Sequence, residues 1–198
     1  QYFCDREKEI AQLQSNIKNG LNTLIHSPRR LGKTALISHL FLQLETNKLA
    51  DTIYIDLFAS KNMEDLIQAL AEKILKKYHR LNFIKGLQTL LKGLMATITL
   101  SADGSPQISL NIKENQYNQS LEQLLNFLEK QNKTIVIAFD EFQEIAEYPE
   151  KAEAILRSQI QCLKNVKFIF SGSSNHILQQ MFQSPKRPFY QSCETLTL

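Results

Sequence analysis

His26-Ser27-Pro28-Arg29-Arg30-Leu31-Gly32-Lys33-Thr34 is the stretch that decides the fold. It follows a short apolar-rich run, Leu21 to Ile25, and opens a segment in which Leu36, Ile37, Leu40, Phe41 and Leu44 recur at helical spacing. Strand, loop and helix in that order are the setting of a phosphate-binding loop, and the pattern G-x-x-x-x-G-K-[ST] fits at every fixed position except the first glycine, which is Ser27. Each residue type has a physical reason. Backbone N–H groups at a helix N-terminus, with about half a positive charge from the helix dipole, attract phosphate. Gly32 allows the backbone close approach, Lys33 reaches the terminal phosphates, and the Thr34 hydroxyl is a ligand for Mg²⁺.

Outward from the loop, the chain alternates strands and helices. Asp5 followed by Arg6-Glu7-Lys8-Glu9 reads as a helix start, with Ile10, Leu13 and Ile17 as its buried stripe and Asn19-Gly20 as its end. Thr52 to Leu57 is a short buried strand, and a long amphipathic helix begins at Asn62 with Met63, Leu66, Ile67, Leu70, Ile74 and Leu75 on its apolar face. Its basic residues Lys73, Lys76, Lys77 and Arg80 read as a solvated face. Leu81 to Leu94 reads as another helix. The period then changes to two in Thr97 to Leu100 and Gln107 to Ile112, around the turn pair Asp103-Gly104, which predicts an accessory hairpin outside the central sheet. Leu121, Leu124, Leu125 and Leu128 return to helical spacing. Thr134 to Phe139 is the most strand-like run, and Val166 to Phe170 and Thr195 to Leu198 supply the last two strands. Five strands separated by helices predict an α/β fold with a parallel sheet and right-handed crossovers.

Composition narrows the class. The 198 residues suit one compact domain, or one domain with a small insertion. A net charge of +3 spread along the chain is too weak to argue for nucleic acid, and no apolar run approaches a membrane span. Cys4, Cys162 and Cys193 lack metal-ligand spacing, and their odd number argues against a disulfide framework, which favours a reducing, cytoplasmic setting. The start at Gln1 and the stop at Leu198 inside an apolar alternation read as a core taken from a longer chain.

In parallel sheets ligands bind beyond the C-terminal strand ends, and three strands carry polar clusters there: the phosphate loop, Asp140-Glu141, and Ser171 to Asn175. Asp140 is placed to hold Mg²⁺ and Glu141 to orient or deprotonate an attacking water. Ser171, Ser173, Ser174 and Asn175 either set a hydroxyl or amide beside the terminal phosphate or cap the helix around Ile177. His176 has no metal-spaced partners, and Arg29 and Arg30 occupy variable loop positions, where either one touches phosphate or, by default, both are solvated.

Phe3-Cys4-Asp5-Arg6-Glu7-Lys8-Glu9-Ile10, Pro28 to Thr34, Asp140-Glu141-Phe142-Gln143, Ser171-Gly172-Ser173 and Lys186-Arg187-Pro188-Phe189-Tyr190 together resemble the archaeal-type ATPase family and its bacterial relatives, in the STAND branch close to AAA+ ATPases. That resemblance implies a three-layer P-loop NTPase core over residues 1–198, with sheet order 5-1-4-3-2, an adenine-side helix at 1–20 and the insertion at about 81–113. It also implies a C-terminal lid or winged-helix region not contained in this sequence. Under it, Ser27 to Ala35 with Asp5 and Arg6 bind ATP, Thr34 and Asp140 hold Mg²⁺, and Glu141, Lys33 and the first-sensor Ser171 are catalytic. The implied partners are ATP and ADP, attached domains switched by nucleotide, and a second copy of the chain. Two departures stand out: Ser27 replaces the first loop glycine, and Gln191-Ser192 stands where many relatives carry Gly-Arg. The expected function is an Mg²⁺-dependent ATPase, weak in isolation. The rivals are a nucleotide-binding module with little hydrolysis, a DNA-associated ATPase, and a small-molecule phosphotransferase. GTP specificity lacks an Asn-Lys-x-Asp stretch.

Overall fold

In the computed structural model the chain runs α1 (Glu7–Lys18), β1 (Thr23–His26), α2 (Lys33–Thr46), β2 (Asp51–Asp56), α3 (Met63–Lys77), β3 (Thr97–Leu100), β4 (Pro106–Ser109), α4 (Tyr117–Glu129), β5 (Ile135–Asp140), α5 (Ala152–Ile160), β6 (Val166–Gly172), α6 (Asn175–Gln183) and β7 (Glu194–Thr197). The structure describes residues 6–28, 30–78, 97–100, 106–109, 112–173 and 175–198. The expected helix at 81–94, the Asp103-Gly104 turn, Asp5, Arg29 and Ser174 lie outside them.

Five strands form one sheet in the order β2-β5-β6-β1-β7, and every pairing in it is parallel. Read from the other edge and counting only these strands, this is the expected 5-1-4-3-2 order. Strands β3 and β4 pair antiparallel in a separate two-stranded sheet, so the hairpin does stand outside the central one. The described part of its second strand is Pro106–Ser109, and Ile112 is buried in the main core with its N–H on Glu64 Oε1 at 3.4 Å. Ile112 fits the period of two but is claimed by the α3 side of the domain.

The alternation along each strand builds two cores. Ile135, Ile137 and Phe139 of β5 face one side with Phe168 and Phe170 of β6, against α3, α4, α5 and α6. Val136, Ala138, Ile169 and Ile25 face the other, against α1 and α2. All six residues of β5 are buried, as expected of a central parallel strand. Helix α3 starts where Asn62 accepts from the Asp65 N–H at 2.9 Å, and it carries Glu64 and Asp65 in its first turn and Lys76 and Lys77 in its last.

Two local features were not visible as patterns. A turn of 3₁₀ helix, Phe142–Glu147, lies between β5 and α5. Phe142 is fully buried, its ring tilted by 51° on Phe170 with centroids 4.4 Å apart and meeting Phe189 edge-on at 5.3 Å. Burial of each such ring is worth about 1.5–3 kcal/mol, and here it fixes the backbone immediately after Asp140 and Glu141. Phe189, from the Lys186-to-Tyr190 segment, is thus a core plug. Among the described residues no helix is long and apolar enough to cross a membrane.

Candidate nucleotide site

The registry of the sheet assembles the site. Phe139 pairs with Phe170, which sets Asp140 beside Ser171, and Ile25 pairs with Ser171, which sets the loop after β1 next in line. The three polar clusters expected at the strand ends therefore lie on three adjacent strands, β5, β6 and β1.

The loop has the conformation that its residue types demand. Gly32 sits at φ +82°, in the left-handed region, and an added Cβ there would meet nothing within 4 Å. The requirement for glycine is therefore backbone conformation, not space. Arg30 is also left-handed, at φ +66°, and is exposed. Lys33, the first residue of α2, is largely buried and donates from Nζ to Ser27 O at 2.9 Å, Pro28 O at 3.1 Å and Ser27 Oγ at 3.3 Å. The ammonium lies folded back over its own loop. Ser27 is fully buried, its hydroxyl donating to Pro28 O at 3.2 Å. The residue that departs from the glycine pattern thus accepts from the loop lysine. Leu31, Thr34 and Ala35 are exposed along the loop and the start of α2.

Asp140 is the centre of the polar network. It is nearly buried, and its Oδ2 accepts from Thr34 Oγ1 at 2.8 Å and from Tyr54 OH at 2.5 Å. Its Oδ1 accepts from Ser171 Oγ at 2.5 Å and from the Glu141 N–H at 3.1 Å. Burial pushes the Asp140 carboxyl up, but the hydrogen bonds from Ser171, Tyr54, Thr34 and the Glu141 backbone outweigh it, and its pKa lies below the ordinary carboxylate value. The same contact works the other way on Tyr54, whose phenol is raised by burial and by the Asp140 charge. Ser171 is fully buried, and its hydroxyl serves Asp140 in this arrangement.

Glu141 lies just past the strand end, with a left-handed backbone at φ +52°. Its Oε2 accepts from Gln143 Nε2 at 2.5 Å, Ser173 Oγ at 2.9 Å and the Ser173 N–H at 3.2 Å. Arg6 immediately precedes α1. It pairs with Glu9 at 2.6 Å and lines a groove of about 350 Å³ with Ile10, Gln14, His39 and Gln43 between α1 and α2. His176 is exposed, and among the described residues no group of three His, Cys, Asp or Glu side chains is placed to hold a metal.

Of the residues singled out from sequence, the structure brings together Ser27, Lys33, Thr34, Asp140, Glu141 and Ser171, while Asp5 and Arg29 lie outside the described residues. Tyr54 and Gln143 were missed. In sequence Tyr54 reads as part of a buried strand, although a tyrosine among aliphatic residues signals a hydroxyl seeking a partner. Gln143 stands in the motif after β5 with no role that its neighbours assign.

A family model described as an ATPase domain predominantly from Archaea matches residues 3–187. Among solved structures, the Walker-type ATPase of Pyrococcus abyssi superposes with a TM-score of 0.59 at 22% identity, over 98% of this chain and 53% of that one. The ORC2 protein of Aeropyrum pernix, in ADPNP–ADP complexes, gives 0.61 at 16% identity over 99% and 48%. ORC1 from Aeropyrum pernix, in complex with DNA, gives 0.63 at 18% identity over 97% and 44%. The chain thus spans about half the length of these structures. Comparison with curated proteins returns no significant match.

Proposed function

Since the chain belongs to the family of ATPase domains found predominantly in Archaea, we propose that it binds ATP with Mg²⁺ at the β1–α2 loop and hydrolyses it to ADP and phosphate. The observation that carries this reading is the hydrogen bond from Thr34 Oγ1 to Asp140 Oδ2, which joins the loop to the end of β5. A chance Gly-Lys-Thr corner would have no reason to meet a buried carboxylate from another strand.

The residues fit a magnesium ion. A hydroxyl and an ionised carboxylate 2.8 Å apart are hard oxygen donors of the kind Mg²⁺ accepts while keeping several waters. When bound, the ion neutralises charge on the β- and γ-phosphates. The protein's part is positioning. The N-terminus of α2 and the loop N–H groups receive the phosphates, and Lys33 exchanges Ser27 O and Pro28 O for phosphate oxygens. Glu141 takes a proton from water as the water oxygen bonds the γ-phosphorus. The bond from that phosphorus to the β–γ bridging oxygen breaks, its electron pair leaving with ADP. General-base help of this kind is worth about 10²–10⁴-fold. Ser171 acts through Asp140, as a positioning residue.

Within this reading residues 1–198 are the ATPase core of a regulatory protein of the STAND or AAA+ kind, switching attached domains as nucleotide turns over. Gln191-Ser192 in place of Gly-Arg supports low activity in isolation. The hairpin β3–β4 is an accessory contact surface, since it forms its own sheet and none of the described site residues belongs to it. The test of the binding claim is titration of a fluorescent ATP analogue into the wild type and Lys33→Ala. Loss of one charged hydrogen bond is worth about 1.5–3 kcal/mol, so affinity falls by at least about tenfold, with a native circular-dichroism spectrum. Unchanged affinity in a folded Lys33→Ala would remove the loop from nucleotide binding.

A further inference from the structure

Gln143 is more than nine-tenths buried, and one end of its amide has no partner. Nε2 donates to Glu141 Oε2 at 2.5 Å and to Glu144 Oε1 at 3.2 Å. Two carboxylates fix that orientation, because a flipped amide would turn its oxygen on theirs. Oε1 is then left buried and unpaired among the described residues, pressed on the backbone of Gly172. A Cβ at position 172 would lie 2.0 Å from that oxygen and 3.2 Å from the amide carbon. Gly172 is a β6 residue outside the left-handed region, so the glycine there makes room for Gln143. Folding alone gives no reason to hold an orphaned acceptor in a core.

The next residue, Ser173, supplies its N–H and its hydroxyl to the same Glu141 oxygen. Glu141 is therefore asymmetric: Oε2 takes three donors, while Oε1 meets none among the described residues. We propose that Gln143, wedged against Gly172, is the positioning residue that anchors Glu141 by Oε2 and leaves Oε1 to take the proton from the attacking water. The inference rests on the reading of Glu141 as base. Its physical content is orientation, since a carboxylate free to rotate spends little time aligned with the water. Phe142 sets the geometry from below, with its ring locked on Phe170 and Phe189 between the two polar residues.

Gln143→Met keeps length and removes both polar ends. Gly172→Ala keeps the glutamine and drives it off its seat. Both are measured in the full chain for affinity of a fluorescent ATP analogue and for single-turnover phosphate release, with Glu141→Gln as reference. The expected result is ATP affinity within about twofold of wild type, and hydrolysis slowed about 10–100-fold, the usual effect of losing a partner that orients a reactive group. Combining Gln143→Met with Glu141→Gln adds no further loss, because both act on one group. If Glu141→Gln stops hydrolysis while Gln143→Met and Gly172→Ala keep the wild-type rate, the anchoring role is wrong and the base stands. If rate and ATP affinity fall together in the variants, Gln143 is only structural. If Glu141→Gln hydrolyses like wild type, or wild type releases no phosphate, the base reading fails first and takes this inference with it. Should Gln143→Met not fold, Gly172→Ala decides.

Discussion

Thr34 Oγ1 and Asp140 Oδ2 lie 2.8 Å apart although 106 positions separate them in the chain. The contact ties the start of α2, which follows β1, to the end of β5, although β6 lies between β1 and β5 in the sheet order β2-β5-β6-β1-β7. It makes the loop and the carboxylate a single unit.

Thr34→Ala separates metal from nucleotide. Binding of ATP in excess chelator should change little, while the gain in affinity on adding Mg²⁺ should shrink by about tenfold or more, as expected for a lost bond to a charged group. Titrations with and without Mg²⁺ measure both quantities. An equal Mg²⁺ gain in the wild type and Thr34→Ala would take the hydroxyl out of the metal site.

Ser27→Gly should leave ATP affinity equal or tighter. The Ser27 hydroxyl accepts from Lys33 Nζ at 3.3 Å, so its removal takes away an acceptor that competes with phosphate, and glycine restores freedom at the first turn of the loop. A weaker Kd for the ATP analogue would show that the hydroxyl contacts the nucleotide.

The two predictions mark what the sequence makes legible. Gly32, Lys33 and Thr34 follow from a short motif whose chemistry is local. Five buried strands follow from β-branched and apolar runs, and their order followed from the family resemblance. Contacts between distant elements were not legible. Tyr54 reaches Asp140 only because Asp56 pairs with Asp140 in the β2–β5 register and brings the tyrosine alongside the strand end. Ile112 looks like a strand residue by period alone, yet α3 buries it. Gln143 stands beside Asp140 and Glu141 in sequence, but the role proposed for it depends on a glycine of β6.

Asp140 also gives the fold an acid signature. Its pKa in the folded protein lies below the unfolded value of about 3.8, so its ionised form stabilises the fold at every pH above that value. The contribution is lost as pH falls through the lower, folded pKa. The melting-temperature gap between wild type and Asp140→Asn should be constant from neutral pH to about pH 4.5 and close below about pH 3.8. A gap that stays constant through that acid range would mean that the hydrogen bonds from Ser171, Tyr54 and Thr34 do not favour the carboxylate.

The most direct measurement of the central claim is phosphate release under single-turnover conditions, with Mg²⁺ and ATP, in wild type and in Glu141→Gln, alongside ATP affinity in both. The amide keeps the shape of Glu141 and loses its basicity. ATP affinity should stay the same within about twofold and hydrolysis should slow by about 10²-fold or more, the share expected of a general base. A Glu141→Gln protein that releases phosphate at the wild-type rate would contradict that claim.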